Sequence, residues 1–233
     1  AARMGEPKYE VWARIIQLDF EMNAIDSAVV HSKEALRYFP GQGFLNFQLG
    51  FAIYLTGDTS QSLKFLEIAA GLIKPSDNWN LQLYSILGDV YHSLKRHEES
   101  DIAFEKVLLL NPNDEHVLNN YSYYLSLRKE QLEKAARMSQ KLVESFPKEA
   151  TYLDTYAWVL YQQGKYADAL NFLERAIKEG ASPSSAIWEH YGDTLFRLGH
   201  VDEAIKSWKK AKDLPNADQN LDKKIKMKRI VEN

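Results

Sequence analysis

Apolar residues recur at i, i+3, i+4 and i+7 along nearly the whole chain, and the pattern restarts after short polar turns such as Gln163-Gly164-Lys165 and Leu198-Gly199-His200. This periodicity predicts amphipathic helices joined in antiparallel pairs. The segment Trp188 to Ala211, WEHYGDTLFRLGHVDEAIKSWKKA, spans one such pair and carries small residues at Gly192, Gly199, Ala204 and Ala211. With Gly192 as position 8 of a unit, the same register reaches back to starts near Tyr9, Gly43, Leu81, Glu115, Ala150 and Ser185, a spacing of 34 to 38 residues. Position 8 then reads Ile16, Gly50, Gly88, Ser122, Ala157 and Gly192, and position 20 reads Ala28, Ser62, Ser100, Ala135, Ala169 and Ala204. Only Ile16 departs from the small-residue rule. Small residues at both places let two helices approach, and large ones at positions 4, 7, 11 and 24 (Trp188, Tyr191, Leu195 and Trp208 in the last unit) fill the space around the contact.

Pro40, Pro75, Pro112, Pro147, Pro183 and Pro215 punctuate the ends of the units, where a residue without an N–H stops a helix. A single helix pair cannot bury both its apolar faces, so the units are expected to stack into one all-α solenoid. The organisation that follows is an N-terminal extension over 1–8, six helix-turn-helix repeats over 9–216, and a C-terminal capping helix over 217–233. Irregular spacing marks loops at Ser76-Asp77-Asn78-Trp79, at Lys129-Glu130, and from Ala181 to Ser184. In the cap, Leu221, Ile225, Met227 and Ile230 are expected to face the last repeat, with Lys223, Lys224, Lys226, Lys228 and Arg229 toward water.

Composition narrows the function classes. With 45% hydrophobic and 26% charged residues in 233, the chain can bury a core. A net charge of -3 argues against a nucleic-acid surface, which needs clustered Lys and Arg. The absence of cysteine excludes a disulfide framework and a thiolate metal site, and leaves the redox compartment open. No apolar run approaches the roughly 20 residues that span a bilayer. The opening AARMGEPKYEVW lacks a signal-peptide core and an initiator Met, so the chain reads as a piece cut from something longer.

Catalytic signatures are missing. The sequence contains no HExxH, GxxxxGK[ST], GxSxG or GxGxxG, so neither an enzyme nor a cofactor is expected. None of the six histidines has a histidine partner at i+4, which gives no metal pair, and Glu189-His190 are adjacent on a helix and point apart. The tail from Ala217 carries five basic and three acidic side chains, too small an excess for a membrane anchor.

The run of W or L, G, Y, A, F or W, A and P at positions 4, 8, 11, 20, 24, 27 and 32 resembles the tetratricopeptide repeat, with Tyr84, Gly88, Tyr91, Phe104 and Pro112 as matching residues. LNNYSYYLS (118–126), TYLDTYAWVLYQQGKY (151–166) and WEHYGDTLFRLG (188–199) resemble the C-terminal repeats of longer bacterial cell-envelope proteins of Bacteroidetes type. Asp19, Ser32, Ser139 and the displaced proline of the fifth unit depart from the pattern and leave helix boundaries open there.

The resemblance implies a right-handed α-α superhelix whose first helices line a concave groove for extended or helical peptides. Groove positions 2, 5, 9, 12 and 13 select Phe44, Phe47, Phe51, Tyr54 and Leu55, then Asp89, Asn119 and Tyr123, then Asp154, Trp158 and Tyr161, then Glu189 and Asp193. An aromatic patch beside acids suits a partner segment with apolar anchors and basic residues. Phe44, Phe47 and Phe51 equally fit a core between units, and acids such as Asp89, Asp154, Glu189 and Asp193 are more often plain solubilising residues on a solvated face. The Lys and Asn set of a carboxylate clamp is absent, since position 5 reads Ala13, Phe47, Ser85, Asn119, Asp154 and Glu189. The resemblance thus implies a non-catalytic protein-interaction scaffold, in a bacterial periplasm or envelope. An oligomerisation or linker module of a larger envelope protein, or a regulatory domain of an enzyme, are the alternatives.

Overall fold

The computed structural model describes residues 8–74, 77–180 and 183–231, so Pro75, Ser76, Ala181 and Glu232 lie outside the described residues. Among those described, the chain is all helix, in two compact units, Ala1–Asp114 and Glu115–Asn233. Unit 1 contains α1 (Tyr9–Glu21), α2 (Ile25–Tyr38), α3 (Gly43–Leu55), α4 (Thr59–Leu72), α5 (Asn80–Ser93) and α6 (His97–Leu110). Unit 2 contains α7 (Glu115–Arg128), α8 (Leu132–Ser145), α9 (Ala150–Gln162), α10 (Tyr166–Glu179), α11 (Ser185–Arg197), α12 (Val201–Lys212) and the short α13 (Leu221–Met227). Within each unit, successive helices pair in the order α1 with α2, α3 with α4, and so on, and each pair packs on the next.

The pairing rests on close backbone approach. A Cβ built on Gly88 would lie 2.3 Å from the Phe104 ring, one on Gly192 2.5 Å from the Trp208 ring, and one on Gly50 2.8 Å from Leu66. The facing helix adds a hydrogen bond at the same place: the Ser62 hydroxyl donates to the Gly50 carbonyl at 2.7 Å, and Ser100 donates to the Gly88 carbonyl at 2.8 Å. Where alanine replaces serine, as at Ala28, Ala169 and Ala204, the side chain is fully buried and the contact is apolar.

Each hairpin turns through the left-handed region, at Asn23, Gly57, Lys95, Gly164 and Gly199 in five of them and at both Lys129 and Gln131 between α7 and α8. Five of the six turns close with a long backbone bond over the helix end, such as Lys165 N–H to the Leu160 carbonyl at 2.9 Å and His200 N–H to the Leu195 carbonyl at 2.9 Å. Glycine takes this conformation without strain, whereas Asn23, Lys95 and Lys129 adopt it at some cost because the turn leaves no alternative path.

The residues that break the repeat pattern do not break helices. Asp19 is buried in α1 and accepts from the His31 ring at 2.7 Å, so a polar pair fills the place of a large side chain. Ser32 is fully buried within α2. The Ser139 hydroxyl folds back on the Ala135 carbonyl at 2.8 Å, leaving α8 intact. In the fifth pair, α10 stops at Glu179 with Gly180 as its cap, ahead of Pro183.

Gly88→Val is expected to lower the urea unfolding midpoint by the equivalent of about 1–3 kcal/mol, since the added carbons meet Phe104. Gly71→Ala is the control: nothing lies within 4 Å of its Cβ position in α4, and the midpoint should hold or rise by up to about 1 kcal/mol.

Candidate binding surface on the first helices

In unit 1, the aromatics of α3 are interior. Phe47 is 3% exposed in a cluster with Leu63, Leu66 and Leu83, while Phe44, Phe51 and Tyr54 are partly buried against the same cluster. Trp79, just before α5, stacks on Phe47 with ring centroids 5.5 Å apart and tilts over Phe44 at 5.8 Å. Of the two readings open to these residues, Phe47 takes the core one. The reason is Trp79: the extra residues before α5 bring an indole onto the face that a groove would leave open. Asp89 of α5 is likewise buried rather than solvated.

The first helices of unit 2 carry a different arrangement. On α9, Asp154, Trp158 and Tyr161 follow a spacing of four and three, which aligns them on one face. Trp158 stacks on Tyr161 at 4.5 Å with rings 7° apart, and on His190 of α11 at 4.0 Å and 17°. His190 Nδ1 lies 2.8 Å from Asp154 Oδ1, and Tyr123 of α7 flanks the His190 ring at 6.4 Å. The Arg197 guanidinium donates to the Tyr161 hydroxyl at 3.0 Å. Tyr123, Trp158, Tyr161, His190 and Arg197 line a cavity of about 550 Å³, to which Ile230 and Val231 also contribute. Trp158 lines this cavity, and its indole N–H is buried without a hydrogen-bond partner. Asn119 does not line this cavity, and its amide donates to the neighbouring Asn120 at 3.2 Å.

The acids expected to be open are engaged. Lys224 of α13 donates to Glu189 Oε1 at 2.7 Å and to both Asp193 oxygens at 2.7 and 2.9 Å, and the Trp208 indole adds a bond to Asp193 at 2.9 Å. Asp193 is 3% exposed and Asp154 9%. Buried carboxylates need neutralising partners, so these acids serve internal pairs and not a solvated surface. Lys224 itself was expected in water and is 4% exposed. Its place was readable: Leu221 three residues before and Ile225 one after put it at the edge of the apolar stripe. His190 and Arg197 carried no such signal, because their partners lie 36 residues away on the preceding first helix.

Charge and burial set the protonation states. Burial pushes the Tyr123 phenol up to about 12, with Asp154 and Glu189 adding to the rise, so it stays neutral. Burial alone would lower His190, but the Asp154 carboxylate, by charge and hydrogen bond, and then Asp193 and Glu189 outweigh it and raise the ring above its ordinary value. Burial likewise opposes the Lys224 charge, and Asp193 and Glu189 overcome it. Among the described residues, no group of three or more His, Cys, Asp or Glu is placed to hold a metal, and no helix is long and apolar enough to cross a membrane.

Stacked helix pairs with this close-contact pattern define an α-helical repeat protein. The chain carries tetratricopeptide repeats: the tetratricopeptide repeat model matches residues 81–114, and the model of anaphase-promoting complex, cyclosome, subunit 3 matches residues 128–211. It is 28% identical over 141 residues to a TPR repeat-containing protein of Pseudomonas aeruginosa, covering 60% of this chain and 23% of that one. It is 24% identical over 174 residues to the human protein O-mannosyl-transferase TMTC1, covering 73% of this chain and 19% of the transferase. The chain thus spans about a quarter or less of the length of these relatives. A tetratricopeptide repeat protein from Parabacteroides merdae aligns with a TM-score of 0.70 at 15% identity, over 97% of this chain and 86% of that one. YrrB, described as a TPR protein with an unusual peptide-binding site, aligns at 0.62 and 17% identity, over 72% and 84%. At such identities the likeness shows the fold alone.

Because the folded His190 value stands above its ordinary value of 6.5, the stability it contributes is complete below that pH and is lost as pH rises through the folded value. Urea unfolding of the wild-type chain should therefore weaken above pH 6.5 relative to His190→Gln, whose profile lacks this component. Parallel profiles would show that the ring is neutral when folded.

Proposed function

We propose that the chain is a non-catalytic protein-interaction scaffold and that the first-helix face of unit 2 receives a partner segment. The tetratricopeptide fold supports a protein-binding role in general. The single observation behind the finer reading is the unpartnered Trp158 indole N–H at a cavity walled by Tyr123, Trp158, Tyr161 and His190. A buried donor without an acceptor is costly, and a peptide carbonyl supplies the acceptor. The ring walls add apolar contact for a side-chain anchor, the combination found at interface hot spots. YrrB's described peptide-binding site is consistent with such use of the fold. The apolar anchor of the expected partner is therefore assigned to the cavity, while its basic residues would fall on Glu189 and Asp193, which Lys224 already neutralises.

The test is cross-linked capture from a lysate of the source organism with the wild-type chain, with Trp158→Phe, which keeps a ring and removes the donor, and with Tyr123→Ala. All three must first melt alike. Capture of a specific partner should drop at least tenfold with either substitution, about 1.4 kcal/mol or more. Equal recovery would sink the cavity reading, and sedimentation showing self-association would then favour the oligomerisation or linker module.

A further inference from the structure

The chain's own C-terminal helix shows what the acid pair of α11 is built to hold. α13 is only seven residues long, well short of the roughly 12–15 at which an isolated helix becomes even marginal in water, so its shape depends on what it docks against. Docking uses three side chains. Leu221 is fully buried, Ile225 packs beside it against the α11–α12 pair, and Lys224 enters between Glu189 and Asp193. Lys223 and Lys226, one residue before and two after, remain exposed. The choice of Lys224 is therefore made by the site and not by a general excess of positive charge.

The site is specific in geometry as well as sign. The two Asp193 oxygens and one Glu189 oxygen provide three acceptors around the ammonium, and the Trp208 indole fixes the Asp193 carboxylate from the other side. The Asp193 and Lys224 side chains are each 5% exposed, so withdrawal of the lysine leaves two carboxylates facing each other at low exposure with one fewer cation. Such a pair demands replacement of the charge. The eight residues from Asp213 to Asn220 link α13 to α12, and a Lys212–Asp222 ion pair that is exposed on both sides joins the two helices, a weak hold by comparison.

We propose that Glu189, Asp193 and the Trp208 indole form a lysine-accepting site that α13 fills in cis, and that a partner helix with the pattern Leu-x-x-Lys-Ile takes it over when α13 is displaced. The pattern is read from Leu221, Lys224 and Ile225, the three residues that dock. This rests on the first-helix face as the binding surface, and it gives that face a basic partner and an intramolecular competitor.

The probe is a labelled synthetic peptide of residues 217–231, titrated into the wild-type 233-residue chain and into the same chain carrying Lys224→Met, which keeps the apolar stem and removes the charge. The peptide should bind the Met variant at least tenfold more tightly than wild type, and a peptide carrying the same Met should lose that advantage. Adding Asp193→Asn to the Met variant should abolish peptide binding. Hydrogen exchange provides a reading independent of the peptide: amides of 221–227 should exchange at least tenfold faster in Lys224→Met, with α7 and α8 unchanged. Equal peptide affinity for both chains, equal binding of the two peptides, or unchanged exchange in α13 would each overturn the proposal. Dimers of Lys224→Met without peptide would assign the site to the tail of a second copy and overturn the partner form. Failure here leaves the Trp158 cavity standing, and insensitivity of partner capture to Trp158 and Tyr123 leaves the lysine site standing.

Discussion

Close approach of two helix backbones at one glycine or alanine per hairpin is the constraint on which the remaining structure depends. Where Gly88 faces Phe104 and Gly192 faces Trp208, the absent Cβ is occupied by an aromatic ring from the partner helix. The ring can approach the backbone this closely only because no side chain projects from it. That contact sets the distance within each pair, and the distance determines which side chains of the first helix are left to meet the next pair. In α3 and α4 the contact also carries a serine hydroxyl bonded to the glycine carbonyl, so one small residue serves packing and hydrogen bonding together.

The same stacking explains the polar layer of unit 2. α9 and α11 offer acceptors that the next helix on the same face fills with basic side chains: Asp154 meets His190, Tyr161 meets Arg197, and Glu189 with Asp193 meets Lys224. Acids at groove positions are therefore part of the assembly of neighbouring helices. A buried carboxylate without such a partner would cost several kcal/mol, and the same carboxylates raise the His190 ring above its ordinary value. Two places stand apart from this pairing: the Trp158 indole N–H, which has no hydrogen-bond partner, and the acid pair whose neighbour is only a short helix.

Similarity to other tetratricopeptide proteins reaches the architecture and stops before the partner. The relatives share 28% and 24% identity over parts of this chain, and the repeat itself accounts for much of what such alignments record, because small and large residues recur in every unit. Binding is decided by the positions that the repeat leaves free. In this chain those positions are dissimilar from unit to unit: an interior aromatic cluster on α3, and a stacked Trp-Tyr-His layer on α9 and α11.

By itself the sequence determined the class of fold, because the residues that allow two helices to touch are local in type and periodic in spacing. Helix pairs, their turns at Gly164 and Gly199, and the family resemblance all follow from that periodicity. It also marked the surface worth inspecting, since groove positions are a matter of register. Only the tertiary structure decided what those positions do. Trp79 turned Phe47 into core, Lys224 closed over Glu189 and Asp193, and His190 took up Asp154. Each of these partnerships joins residues about 30 or more apart through the packing of one pair on the next, and no helical period within a single unit encodes which charge or ring will arrive from its neighbour.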